Sequence, residues 1–296
     1  MATSPAAPAQ PVLRFAPSPN GRLHLGHALS ALTNERIAAR LQGRLLLRIE
    51  DIDPGRCRPE FEAAIHEDLA WLGLRFDGSV RRQSEHLPDY EAALARLAGM
   101  NLLYPCFCSR QAIKEAVAER EAGGILWPRD PDGAPLYPGC CRRLDPNEAR
   151  RRVAAGEPHV LRLRMDEAVR LAGALRYRRF DHGGGETDAP ACPLRWGDVV
   201  LARKDVPTSY HLSVVLDDAL QGVTHVVRGR DLEAATDIHV LLQRLLGLPT
   251  PLYHFHPLLL GGDGQKLAKS RGSPSLADLR ADGVGAAEIR QRLGFA

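Results

Sequence analysis

The sequence predicts an α/β fold organised around a parallel β-sheet. An apolar segment at 12–15 has strand character, apolar residues at 27–41 recur at helical spacing, and a second apolar run occupies 44–49. A continuous apolar strand that follows a helix is typical of a βαβ unit with parallel strands. With 296 residues, 44% of them hydrophobic, the chain has room for one large domain with an insertion or for two domains.

The same alternation of helices and strands continues along the chain. Apolar periodicity predicts helices at 59–72 and 88–97, before a segment rich in Gly, Pro and Arg begins near 103. Strand and helix patterns resume at 198–202, 210–216, 223–228 and 235–246, followed by an extended piece at 253–260. We therefore predict a disordered tail at 1–11, a sheet domain in two halves at 12–102 and 197–250, an insertion at 103–196, and a final segment at 251–296 that ends in short helices.

Composition narrows the class of protein. The formal net charge of +3 is too small to indicate a nucleic-acid binder by itself. No run approaches the roughly 20 apolar residues that a membrane span needs, and the Ala- and Pro-rich beginning lacks the apolar centre of a signal peptide. Six cysteines without a secretion signal favour a reducing compartment. We expect a cytoplasmic protein that does not enter the membrane.

Two short clusters carry the candidate chemistry. His24 and His27 flank Gly26 at the start of a predicted helix, where free backbone N–H groups and the helix dipole favour a bound anion such as phosphate. Only four of the 39 basic residues are lysines, and Lys266 and Lys269 lie together after a Gly-rich turn. Flexible point charges in that place suit a polyphosphate. Each cluster alone is also compatible with ordinary helix capping or with solvated side chains.

Four motifs in order resemble the catalytic core of the class I glutamyl-tRNA synthetases. They are Phe-Ala-Pro-Ser-Pro at 15–19, His-Leu-Gly-His at 24–27, Arg-Ile-Glu-Asp at 48–51 and Lys-Leu-Ala-Lys-Ser at 266–270. The histidine motif has Leu for the family's Ile, and the lysine motif has Leu and Ala for Met and Ser. The resemblance extends over about 12–270. It implies a Rossmann-like class I aminoacyl-tRNA synthetase catalytic domain.

Two further traits are similar to the glutamyl-queuosine tRNA-Asp synthetases, a short bacterial branch. Only 26 residues follow Ser270, so we expect no anticodon-binding domain, and the insertion holds Cys-x-Cys and Tyr-x-x-x-Cys pairs. That branch activates L-glutamate with ATP in the absence of tRNA and attaches it to the queuosine base in the anticodon of tRNA-Asp. The resemblance implies these partners and a monomer.

Three other functions stay open from the sequence. The first is a minimal glutamyl-tRNA synthetase that charges a tRNA 3′ end. The second is another nucleotidyltransferase with a His-x-Gly-His motif, although those lack the Phe-Ala-Pro-Ser-Pro segment. The third is a non-enzymatic, zinc-containing RNA-binding module.

The resemblance implies adenylation of glutamate followed by acyl transfer. Charge that spreads over phosphate oxygens needs positioned donors, for which His24 and His27 are the candidates. Gly26 would let the nucleotide approach the backbone. Lys269 would hold the β- and γ-phosphates with support from Lys266, and Mg²⁺ would accompany ATP.

The resemblance also implies a glutamate pocket. Arg14 can pair bidentately with a carboxylate, and Glu50 would accept the substrate ammonium. The segment around Arg14 would line the pocket, together with a tyrosine and an arginine from later elements. The full predicted set is Arg14, Phe15, Ala16, Pro17, Ser18, Glu50, Tyr210 and Arg228. A simple core role for Tyr210 and a surface salt bridge for Arg228 stay open.

A zinc site is predicted in the insertion. The candidate ligands of one structural Zn²⁺ are Cys106, Cys108, Tyr137 and Cys141. Thiolates suit tetrahedral zinc, which would stabilise a segment poor in apolar residues. Cys140 competes with Cys141 as a ligand, and free thiols are the alternative to a metal. The basic residues 142–143 and 150–152, with Arg110, are candidates for contacts with tRNA phosphates.

Overall fold

The computed structural model describes residues 10–124, 126–260 and 274–295. Lys266 and Lys269 lie outside these residues, as does most of the predicted tail. The strands are β1 Val12–Phe15, β2 Arg44–Ile49, β3 Arg81–Arg82, β4 Leu103–Cys106, β5 Val160–Leu163, β6 Arg176–Phe180, β7 Glu186–Pro190, β8 Val200–Ala202, β9 His225–Gly229 and β10 Leu252–His256. The helices are α1 Leu25–Arg40, α2 Pro59–Trp71, α3 Leu87–Gly99, α4 Arg110–Ala122, α5 Pro146–Ala154, α6 Met165–Ala172, α7 Tyr210–Leu220, α8 Thr236–Leu246, α9 Leu276–Ala281 and α10 Ala286–Arg292.

Two parallel strand systems meet beside the N-terminal strand. β1, β2 and β3 form one parallel sheet, and β9 and β10 pair in parallel in a second one. The backbone N–H of Thr224, just before β9, donates to the carbonyl of Val12 at 2.9 Å, so β1 lies beside β9. The chain leaves β1 toward β2 on one side, whereas β9 and β10 lie on the other. Such a switch in strand order opens a crevice at the carboxyl ends of the strands.

Apolar packing explains why the predicted strands form. Leu13 and Ile49 have no exposed surface, and α1 buries Ala28, Ala31 and Leu32 against the sheet. The strands at 12–15 and 44–49 and the helix stop before Gly43 agree with the prediction. Helix α1 begins at Leu25 rather than at residue 27, because His24 caps it.

The predicted insertion is tied to the main sheet more closely than the sequence indicated. Strand β6, which lies within 103–196, pairs in parallel with β10 and forms a hairpin with β7. Strand β8 of the expected second half pairs with β5 of the insertion in a separate antiparallel sheet with β4. The division of the chain at 103 and 196 therefore stays a prediction. No helix in the described ranges is long and apolar enough to cross a membrane.

Candidate active site

A cavity of about 270 Å³ lies at the carboxyl ends of β1, β2 and β9. It brings together nearly all the predicted substrate residues that the structure describes, from segments more than 200 positions apart. Its lining includes Arg14, Phe15, Ala16, Pro17, His24, Gly26, His27, Glu50, Tyr210 and Arg228. Ser18 does not line this cavity and belongs to a neighbouring one.

The two histidines cap helix α1 with their side chains. The Nδ1 atom of His24 accepts from the Gly26 N–H at 3.1 Å, and the Nδ1 atom of His27 accepts from the His24 N–H at 3.1 Å. Their rings lie 3.9 Å apart. Because each Nδ1 accepts a backbone hydrogen, each neutral ring carries its proton on Nε2. The capping arrangement thus gives both imidazoles an N–H donor on the side away from the backbone, which is what phosphate oxygens require.

Gly26 serves the capping geometry. A Cβ atom at this position would lie 2.9 Å from Cε1 and 3.1 Å from Nδ1 of His24. The His24 ring therefore occupies the space beside the glycine, and a side chain there would displace it. Close approach of the nucleotide to this glycine stays a prediction, and the contact that the structure describes is with the neighbouring imidazole.

Arg14 and Glu50 enter the cavity as members of a buried ion network. Arg14 Nε donates to Asp218 Oδ1 at 2.9 Å, and Arg48 Nη1 donates to the same oxygen at 2.7 Å. Arg48 Nη2 also donates to Glu50 Oε1 at 3.3 Å. Burial raises the pKa of Glu50, and Arg48 and Arg14 partly offset this. Burial acts in the same direction on Asp218, but the two guanidinium groups bring the pKa of that carboxyl below its ordinary value.

A second buried carboxylate anchors the network from behind. Asp217 accepts from Arg81 Nε at 2.7 Å, from Gln83 Nε2 at 2.7 Å and from the Tyr90 hydroxyl at 3.0 Å. Arg48, which has no exposed surface, lies 3.9 Å from it. Because Asp217 and Asp218 are consecutive on α7, this helix holds Arg14, Arg48 and Arg81 in fixed positions.

Arg228 differs from the other buried arginines. Its side chain is buried at the end of β9, where Nη2 donates to Thr236 Oγ1 at 2.6 Å and Nη1 to His239 Nδ1 at 3.0 Å. Within the described part of the chain, no carboxylate forms an ion pair with it. Its Nε atom is buried and has no hydrogen-bond partner there. A buried cation without a carboxylate is costly, and the faces of the Tyr253 and Phe255 rings, at 5.4 and 5.7 Å, offset only part of this cost, so the site favours an anionic ligand. The predicted alternative, a surface salt bridge, is therefore wrong.

Tyr210 lies at the start of α7, between this cavity and a larger one. Its side chain is half-buried, and burial raises its pKa. The second cavity, of about 880 Å³, shares Glu50 and Tyr210 with the first. It also has basic lining residues, among them Arg110, Arg203 and Lys204. Tyr210 therefore lines an opening and is not a simple core residue.

The predicted metal ligands form a compact group. The Sγ atoms of Cys106, Cys108 and Cys141 all lie within 4.8 Å of one another. The Tyr137 hydroxyl oxygen lies 3.3 Å from the Cys106 Sγ atom and 3.6 Å from the Cys108 Sγ atom. Tetrahedral zinc with Zn–S near 2.3 Å places its donors roughly 3.5–3.8 Å apart, so the group fits the ion. Cys140 is exposed and is not a member of this group, so the geometry favours Cys141 as the candidate ligand.

The surroundings shift the pKa values of two of these thiols in opposite directions. Burial raises the pKa of Cys108 to about 12. Burial also opposes ionisation of Cys141, but hydrogen bonds from the Phe107 N–H and from Tyr137 bring the pKa of that thiol below its ordinary value. A thiolate at this position is the form that coordinates zinc.

Several residues of the predicted tRNA-binding run are engaged within the protein. Arg142 pairs with Asp198 at 3.2 Å, and Arg152 pairs with Glu157 while its guanidinium lies over the Phe107 ring. These contacts reduce the charge that the run offers to a partner. The contact of this run with tRNA stays a prediction.

Comparison with known proteins identifies the family. Residues 11–288 match the family described as tRNA synthetases class I (E and Q), catalytic domain. The chain belongs to this family. It is 48% identical to the glutamyl-Q tRNA(Asp) synthetase of Rhodobacter capsulatus, over 96% of this chain and all of that protein. It is 42% identical to the protein of the same name from Symbiobacterium thermophilum, over 95% of this chain and 85% of that one.

A solved structure supports the same assignment. The glutamate tRNA ligase from Elizabethkingia meningosepticum, crystallised in complex with its amino acid, superimposes with a TM-score of 0.72 and 26% identity. The match covers 93% of this chain and 53% of that one, so the chain spans about half the length of that ligase. The predicted class I catalytic fold and the resemblance to glutamyl-Q tRNA(Asp) synthetases are confirmed. The class I chain is an enzyme of the ligase type.

Sequence reasoning missed the residues that hold the class I pocket together. No motif includes Asp217 or Asp218, although two adjacent acids inside an apolar helical stretch are rarely buried without cations. His239 lies in the helix predicted at 235–246, where no sequence pattern indicates that it accepts from Arg228. Polar and ionisable residues within otherwise apolar helices are the sequence feature that could have indicated these buried contacts.

Proposed function

We propose that this class I enzyme activates L-glutamate with ATP in the absence of tRNA, and transfers the glutamyl group to the queuosine base in the anticodon of tRNA-Asp. The observation that carries the proposal is Arg228, a buried guanidinium without a carboxylate partner in the described part of the chain, in the same cavity as Glu50 and the histidine pair. The names of the relatives at 42–48% identity support the same activity. We further expect a monomer that acts in the cytoplasm.

The cavity has one group for each charge of glutamate. The side-chain carboxylate of the substrate supplies the anion that Arg228 lacks, and Arg14 assists from β1. Glu50, which lines the cavity together with Asp231, accepts from the substrate ammonium. The α-carboxylate is then left to face the two histidines. Glutamine would leave the Arg228 guanidinium without an anion, so the pocket favours glutamate.

Adenylation follows from this placement. An oxygen of the α-carboxylate attacks the α-phosphorus of ATP, and the bond from that phosphorus to the bridging oxygen of pyrophosphate breaks. His24 and His27 donate from Nε2 to the phosphate oxygens as negative charge develops there. Lys266 and Lys269 are proposed, from the sequence motif, to bind the leaving pyrophosphate. Mg²⁺ accompanies ATP as part of the substrate.

Transfer requires the acceptor to reach the mixed anhydride from the other side. The larger cavity offers this route because it shares Glu50 and Tyr210 with the glutamate pocket. Arg110 and Lys204 in its lining suit the phosphates of a nucleotide loop. A hydroxyl of the queuosine attacks the carbonyl carbon, the bond from that carbon to the AMP oxygen breaks, AMP leaves, and the hydroxyl proton passes to water.

One structural zinc ion completes the proposal. Cys106, Cys108, Tyr137 and Cys141 would hold it, and it would cross-link β4 to the loop that carries Tyr137. Cys108 also belongs to the lining of the larger cavity, so the metal would stabilise one wall of the acceptor route.

The choice of acceptor tests the proposal against a minimal glutamyl-tRNA synthetase. The enzyme is incubated with ATP, labelled glutamate and one of three tRNAs: queuosine-containing tRNA-Asp, its unmodified transcript, or tRNA-Glu. We expect label only on the first, and nuclease digestion should release it on the modified nucleoside. Equal labelling of the unmodified transcript, or labelling of the 3′ end of tRNA-Glu, would refute the base-directed transfer.

A further inference from the structure

Two hydrogen-bonded histidines, one buried and one half-buried, lie behind Arg228. His239 lies on α8 and is almost fully buried, and its Nε2 atom lies 3.2 Å from Nδ1 of His211 at the start of α7. On its other side, Nδ1 of His239 lies 3.0 Å from Nη1 of Arg228. His211 in turn lines the larger cavity, whereas Arg228 lines the smaller one. A continuous hydrogen-bonded path thus joins the two cavities through the protein.

The chemistry of arginine fixes the direction of every bond in this path. A guanidinium only donates, so Nδ1 of His239 must accept and carries no hydrogen. A neutral His239 therefore has its proton on Nε2 and donates it to Nδ1 of His211. That leaves the proton of a neutral His211 on Nε2. Burial, with Arg228 nearby, lowers the pKa of His211 to about 4 and that of His239 well below its ordinary value, so both rings are neutral at physiological pH.

We propose that His239 and His211 are positioning residues that orient the Arg228 guanidinium for the side-chain carboxylate of the substrate. The inference rests on the proposed glutamate pocket. Thr236 holds Nη2 at 2.6 Å and His239 holds Nη1 at 3.0 Å, so the two bonds fix the plane of the guanidinium. Since no carboxylate in the described ranges contacts Arg228, these neutral acceptors determine its direction without neutralising its charge. An acidic residue in place of His239 would compete with the substrate.

The same bond directions exclude another role for His211. A general base for the acceptor hydroxyl would need a lone pair on Nε2, which requires the proton of His211 to lie on Nδ1. His239 would then have to accept on Nε2 and carry its own proton on Nδ1, facing the Arg228 donor. Two donors would oppose each other in a buried place. His211 is therefore a fixed neutral support and does not receive the proton of the acceptor.

Glutamate-dependent pyrophosphate exchange tests the inference with variants of His239. His239→Ala removes the acceptor of Arg228, and we expect the KM for glutamate to rise about tenfold or more, the range for loss of one hydrogen bond to a charged group. The KM for ATP should stay within about twofold. His239→Gln should restore most of the affinity, because one carboxamide can accept from Arg228 and donate to His211. Val240→Ala, a truncation of a buried apolar neighbour on α8, should not change the KM for glutamate.

A double-mutant cycle shows whether the effect passes through Arg228. In the Arg228→Ala background, His239→Ala should change the KM for glutamate by less than about twofold. An equal rise in both backgrounds, or an equal loss in His239→Gln and His239→Ala, would overturn the inference. Absence of glutamate-dependent exchange in the wild-type enzyme would instead refute the proposed function itself. The two failures are thus distinguishable.

Discussion

Arg228→Ala should separate substrate binding from stability. In the folded protein this side chain donates to two neutral acceptors, and no carboxylate in the described part of the chain depends on it. Its removal leaves the acceptors on His239 and Thr236 without a donor, but it also removes a buried charge that has no counter-ion. We therefore expect the free energy of unfolding to fall by no more than about 1–2 kcal/mol.

Arg228→Ala should weaken the binding of glutamate far more than it lowers the free energy of unfolding. The side-chain carboxylate of the substrate would enter a buried place with its principal cation missing. Loss of one partner from a buried, hydrogen-bonded charge pair costs about 3–5 kcal/mol. At about 1.4 kcal/mol for each factor of ten, the KM for glutamate should rise by roughly two to three and a half orders of magnitude. Arg228→Lys should recover part of this loss, since it retains the charge but not the planar pair of donors.

Pyrophosphate exchange without tRNA and urea unfolding measure the two effects. Arg230→Ala is the matched control, because Arg230 is two positions away, its side chain is 65% exposed, and within the described residues it pairs with Glu233. Arg48→Ala should instead affect mainly stability. It removes a cation that pairs with the buried carboxylates of Asp218 and Glu50, and we expect the free energy of unfolding to fall by about 3–5 kcal/mol. If Arg228→Ala is as unstable as Arg48→Ala while its KM for glutamate is unchanged, then Arg228 is a structural residue.

Three further predictions concern the zinc group, the pH dependence and the histidine motif. Cys141→Ser should lose the single zinc that elemental analysis finds in the reduced protein, whereas Cys140→Ser should retain it; a zinc content near zero in the wild-type protein would contradict the site. Burial raises the pKa of Glu50, so this carboxylate gains its proton at a higher pH than an ordinary glutamate does. As the pH is lowered, the KM for glutamate should therefore begin to rise before the pH reaches the ordinary carboxyl range. Glu50→Gln should raise this KM at all pH values and remove the acid arm; an unchanged pH profile would exclude the role. Gly26→Ala would put a Cβ atom 2.9 Å from the ring of the N-cap histidine, so the kcat of exchange should fall about tenfold or more with little change in the KM for glutamate. Gly99→Ala, at a position with open space, is its control, and equal activity of the two variants would show that the ring tolerates the displacement.

The local sequence predicts the first βαβ unit well because its signals are local. Apolar runs and a glycine after the helix define β1, α1 and β2 without reference to the rest of the chain. The sequence does not predict the hairpin of β6 and β7, because β6 is short and highly charged, with three arginines beside Tyr177 and Phe180. Its place beside β10 depends on burial of these two aromatic side chains against distant elements.

The motifs predicted which residues reach the pocket, but not how they are held there. Arg14 and Asp218 are 204 residues apart, and no periodicity connects them. From the sequence alone, Arg14 and Arg228 are equivalent candidates for binding a carboxylate. Only the fold shows that Asp218 already pairs with the first, whereas the second has no carboxylate partner within the described residues. Charge pairing across the core is a tertiary property, and the substrate preference inferred for Arg228 depends on it.

The most direct test of the central claim is glutamate-dependent exchange of labelled pyrophosphate into ATP by the wild-type enzyme in the absence of any tRNA. We expect exchange that saturates with L-glutamate, requires Mg²⁺ and is at least tenfold weaker with L-glutamine. Exchange that appears only after tRNA is added would contradict tRNA-independent activation. Equal exchange with glutamine would contradict the assignment of Arg228 as the partner of the side-chain carboxylate.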